Sequence, residues 1–127
     1  MYAVQVILPY LVRALVLTIA FEVPLSLFFL NRRTWRELLV VALAQVVTNP
    51  TVELVCIAFR WSMAAPLLST SWFALAIAEV AAFVVEALLY RVSCVTDHPW
   101  RMSAVLNAAS FGIGLLLGII RAALFAL

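Results

Sequence analysis

The sequence predicts an all-α, polytopic membrane protein: a four-helix transmembrane bundle with short loops. Three observations carry that prediction. Hydrophobic residues make up 68% of the 127-residue chain and charged residues only 11%, far from the balance of a soluble domain. Mean hydropathy is correspondingly high, at +1.19. Apolar runs also recur at roughly the 20-residue length that spans about 30 Å of hydrocarbon, separated by brief polar stretches.

The first run covers about residues 3–30. It is about eight residues longer than a straight span needs, which predicts tilt, protrusion, a bend at Pro9 or Pro24, or a re-entrant break. The second covers about 38–59 and holds Pro50, which removes a backbone donor and crowds the carbonyl of Val46, so a kink is expected. The third and fourth cover about 67–90 and 103–126. Connections at Asn31–Glu37, Arg60–Pro66 and Arg91–Met102 are short, which makes neighbouring helices antiparallel. The whole of 1–127 reads as a single integral membrane domain. Residues 1–20 lack a basic leader region and a small-residue cleavage site and read as part of the first helix.

Arginines set the expected orientation in the cell membrane. Arg32, Arg33, Arg36, Arg91 and Arg101 fall at one end of the bundle and Arg60 at the other, which predicts cytoplasmic loops one and three and both termini outside. A net charge of +2 without a basic stripe excludes a nucleic-acid partner. Cys56 and Cys94 fall at opposite ends, too far apart to pair. His98 has no nucleophile motif around it and no zinc, haem or phosphate-loop spacing occurs, so neither an enzyme nor a cofactor is expected; whether a metal binds is left open.

Function concentrates in the polar residues of the apolar runs. An ionised side chain near the bilayer centre costs at least about 2.5–3.5 kcal/mol, so each should face a partner, a cavity or a substrate. Counting inward from the helix ends places Glu22, Glu86 and Asn107 in the inner third, Asn49 and Glu79 near the middle, and Arg13, Glu53 and Arg121 in the outer third. The outer set mixes both signs on three helices and reads as a structural ion-pair layer. Glu22, Glu79 and Glu86 have no cation at their own depth. With Asn49 and Asn107 they form the expected substrate or ion site, and hydrogen bonding to Gln45, Thr48, Asn107 and Ser110 is the purely structural alternative. Ser110, Gly114 and Gly118, spaced by four, form a helix-packing stripe within the bundle or between two copies of a homodimer.

These features point to a small homo-oligomeric transporter or channel subunit handling a cation, or a cationic or proton-coupled solute. The alternative is a non-transporting scaffold or accessory subunit whose Arg-rich loops dock a cytoplasmic or membrane partner. A lipid-acting intramembrane enzyme is a third, more remote class.

Overall fold

The computed structural model describes residues 2–62 and 68–125. Four α-helices account for nearly all of them: α1 (Tyr2–Ser26), α2 (Trp35–Ser62), α3 (Leu68–Val92) and α4 (Pro99–Phe125). Each contains a stretch long and apolar enough to cross a bilayer, Ile7–Ser26, Trp35–Ala58, Phe73–Val92 and Pro99–Leu124. The helices pack in a ring, α1 on α2, α2 on α3, α3 on α4 and α4 back on α1, and diagonal pairs do not meet among the described residues. The fold is the expected all-α four-helix bundle.

The first apolar run resolves differently from expectation. α1 runs unbroken through Pro9 and Pro24 and stops at Ser26, so no re-entrant break forms. The surplus apolar residues are instead a turn. The amides of Leu27, Phe28 and Phe29 donate to the carbonyls of Pro24, Leu25 and Ser26, and Leu30 is buried in the core. Leu27 and Phe28 stay exposed, so of the surplus residues it is Leu30 that the turn carries into the core. α2 is likewise one helix through Pro50. Beside the proline, the Thr48 and Thr51 hydroxyls donate to the carbonyls of Ala44 and Val47, at 3.0 and 2.6 Å.

Local chemistry sets the other boundaries. α2 begins at Trp35, three residues before the apolar run, because Thr34 and Glu37 form a capping box. The Thr34 amide donates to the Glu37 carboxylate and the Glu37 amide to the Thr34 hydroxyl, at 3.3 and 3.5 Å, which satisfies donors that an unfinished first turn leaves open. α4 begins at Pro99, whose missing N–H is harmless in a first turn. α3 ends where Cys94 takes a left-handed conformation (φ 51°) and the Val95 amide reaches back to the Tyr90 carbonyl at 3.3 Å, a Schellman-type stop built without glycine.

Loops one and three are tied together. The Asn31 amide donates to the Val95 carbonyl at 3.0 Å, and the Asn31 side chain donates to Asp97 at 3.1 Å. The core lies next to this tie and consists of Leu30, Val41, Ala44, Tyr90, Val95, Met102 and Leu106. The other end is looser: beyond Ser110 no described residue of α4 is buried. Among the described residues the bundle is tightest at the loop-one and loop-three end, and toward the other end α4 is unburied while Ala74 and Ala78 of α3 remain buried.

Candidate functional site

Directly outward from that core, all four helices point a polar side chain at one buried centre. Glu22 comes from α1, Gln45 and Thr48 from α2, Glu86 from α3, and Ser103 and Asn107 from α4. Both carboxyls are buried, Glu22 and Glu86 each at 1% exposure. The Gln45 Nε2 group donates to Glu22 Oε2 and, at 3.2 Å, to Glu86 Oε1, so one amide nitrogen bridges the two carboxyls. Glu86 collects three further donors: Thr48 at 2.7 Å on Oε1, and Asn107 at 2.5 Å and Ser103 at 3.4 Å on Oε2. Two donors per oxygen use the full acceptor capacity of a carboxylate. Tyr90 sits on the core side of this centre, fully buried, with a hydroxyl that makes no aligned hydrogen bond.

Two of these donors have a second acceptor. The Thr48 hydroxyl also faces the Ala44 carbonyl at 3.0 Å, and the Ser103 hydroxyl the Phe83 carbonyl at 2.9 Å. Each hydroxyl owns one hydrogen. When it turns to the carbonyl, its oxygen is left free to accept a hydrogen from Glu86.

The bonded pairs fix how far the helices are slid past one another, and this revises the depths counted from sequence. Glu22 is level with Gln45, and Thr18 with Asn49, which donates to the Thr18 hydroxyl at 2.8 Å. Continuing up both helices brings Arg13 level with Glu53. On α3, Glu86 is level with Gln45 and Thr48, so Glu79, two turns further, is also level with Glu53. Glu79 thus belongs with the outer group and not with the middle. Arg121 leaves that group: measured from the Asn107–Glu86 bond, its backbone lies about 10 Å further out than Glu79.

Of the expected ion-pair layer of Arg13, Glu53 and Arg121, Arg13 and Glu53 form no ion pair with each other, and the Arg121 side chain lies outside the described residues. Arg13 is exposed, and nine residues from Glu22 puts it half a turn round the helix, on the face away from the bundle centre. Asn49 does not join the two carboxyls either. Its amide goes to Thr18 and its buried Oδ1 has no partner. Among the described residues Gly114 and Gly118 face open space, since a methyl group added at either would meet no atom of another helix within 4 Å. Ser110 donates instead to the Asn107 carbonyl of its own helix, at 3.3 Å.

Sequence reasoning placed Glu22, Glu86 and Asn107 at one depth, and the structure brings them together. It treated Gln45 and Thr48 only as structural partners and left Ser103 out, although these three supply most of the donors. Among the described residues no group of three or more His, Cys, Asp and Glu side chains is arranged to hold a metal ion. No known protein family matches this chain, and neither a curated protein nor a solved structure matches it.

Proposed function

We propose that the protein is a small membrane transport subunit in which the Glu22–Gln45–Glu86 centre loads and releases a proton or a small cation. The observation that carries this reading is the bridge itself: two buried carboxyls from α1 and α3 share one amide nitrogen, and no basic side chain bonds either of them among the described residues. Buried carboxylates without a cation are neutralised by a proton or a bound ion. The double-faced hydroxyls suit that exchange. With Glu86 ionised, Thr48 and Ser103 donate to it; with Glu86 protonated on Oε1, it donates to Thr48, whose hydrogen turns to the Ala44 carbonyl. Heavy atoms need not move, so the exchange carries little reorganisation.

In this reading loops one and three are cytoplasmic, which puts the tight end of the bundle inside and the looser end outside. Membrane-impermeant thiol labelling of Cys94 from the cytoplasmic side alone supports it; labelling from outside alone reverses it.

The test of transport is flux. Reconstituted protein should move protons or a monovalent cation, and a Glu22→Gln, Glu86→Gln double variant should fold but lose flux and its pH dependence. Wild-type flux with wild-type pH dependence in that variant would sink the proposal. A scaffold role is favoured by one observation, the complete hydrogen bonding of Glu86. It predicts that purified protein co-isolates with a partner whose retention survives both substitutions.

A further inference from the structure

Glu79 lies outside the centre just described. It is half-buried on α3, level with Glu53 and about 9 Å inside the outer end of the α3 span at Phe73. No ion pair engages it among the described residues. It lines a groove of about 360 Å³ between α3 and α4, walled by Leu75, Val80, Phe83 and Phe111, with Asn107 on the opposite side from Glu79. Val80 and Phe111 are exposed, so the groove opens sideways, away from the bundle centre and toward the apolar part of the bilayer.

A concave apolar wall of that volume, bearing a carboxylate, an amide and two aromatic rings, fits a small organic ligand. Its chemistry selects the charge and the surface of that ligand. An ionised carboxylate at this depth takes a positive partner in place of its proton; the aromatic rings favour a cation with a diffuse, weakly hydrated charge; the apolar walls favour a hydrocarbon body. A hydrated metal ion would leave the aromatic and aliphatic walls unused, and an anion would meet Glu79.

We infer that the α3–α4 groove binds a hydrophobic organic cation, an alkyl or aryl ammonium, entering laterally from the bilayer with Glu79 as its counter-ion. Asn107 borders both the groove and the buried centre, where it donates to Glu86. A cation drawn against Asn107 meets its Oδ1, while the Nδ2 of the same amide donates to Glu86; turning the amide to face the cation changes the donor on Glu86, which couples occupancy of the groove to proton loading at the centre. That coupling, and the naming of this cation as the transported solute, rest on the transport reading; binding in the groove does not.

The experiment compares benzyltrimethylammonium with neopentylbenzene, its uncharged isostere, by equilibrium dialysis against wild-type protein in lipid nanodiscs, with empty nanodiscs as the blank. The cation should bind saturably and roughly tenfold more tightly than the isostere, a preference of the size expected for a desolvated charge contact. Glu79→Gln should erase the preference and Glu79→Asp should keep most of it. Equal binding of cation and isostere to wild type, no saturable binding, or an unchanged preference in Glu79→Gln would overturn the assignment. So would cysteine cross-linking showing that Val80 is covered by a second copy of the chain. Saturable binding without flux would remove the transport reading and leave the groove standing; proton flux through the centre without cation binding would do the reverse.

Discussion

The two halves of this bundle have similar apolar composition and different interiors. Near loops one and three, Tyr90, Met102, Leu106 and Val41 are fully buried around a bonded polar centre, and two loops are laced together above them. In the other half, Leu116, Ile119 and Leu124 stay exposed, and Arg13, Glu53 and Glu79 share a level with no ion pair among the described residues. In a membrane that contrast has a specific meaning. Lipid satisfies an exposed leucine, so the open half loses nothing by failing to pack, whereas polar groups must find one another. Polar side chains therefore locate the tight half, and apolar ones fill in around them.

Substitutions can break that comparison. Glu86→Ala should be the most damaging single change, because it opens a cavity at the bundle centre, at about 2–5 kcal/mol, and leaves Gln45, Thr48, Ser103 and Asn107 only their second acceptors, Glu22 and the Ala44, Phe83 and Ser103 carbonyls. The expected result is loss of folded protein in detergent, read by thermal melting; a variant melting near wild type would show that water replaces the carboxyl freely. Leu106→Ala should cost about 2–5 kcal/mol through the cavity it leaves, while Ile119→Ala in the open half should stay within about 0.5 kcal/mol. Equal melting temperatures for those two variants would remove the distinction between halves.

Tyr90→Phe sharpens the comparison with the opposite sign. The hydroxyl is buried and lacks an aligned partner, so deleting it should be neutral or stabilising by up to about 1 kcal/mol. A clear destabilisation would reveal a hydrogen bond to Gln45 that forms in the folded protein. Smallest of all should be Gly114→Leu. Among the described residues no other helix comes within 4 Å of a methyl group placed there, so melting should not change. A fall in the dimer fraction at unchanged melting temperature would assign the glycine stripe to contact between copies; no fall would leave it facing lipid.

Much of the site was legible because polar residues in apolar runs are few. Glu22, Glu86 and Asn107 stand out against their surroundings and fall at one depth on any count. Gln45 was harder to rank, since a neutral amide carries no insertion penalty comparable to a carboxylate, and its bridging role depends on two partners 23 residues before it and 41 after it in the chain. Asn49 stood out in the sequence by sitting beside Pro50, yet its position on the helix sends its amide to Thr18 and not to the carboxyls.

By itself the sequence determined the class, the number of helices and the fact that carboxyls would be buried, because composition and run length control partition into a bilayer before any contact forms. The helix start at Trp35, three residues before the apolar run, came from the Thr34–Glu37 capping box, which apolar run length does not mark. The tertiary structure alone decided the sliding of the helices. Depth counted from helix ends assumes that all ends lie in one plane, whereas hydrogen bonds between helices set the true level. Those bonds moved Glu79 outward and set the Arg121 backbone beyond the level of Arg13, while a backbone turn after Ser26 carried Leu30 into the core.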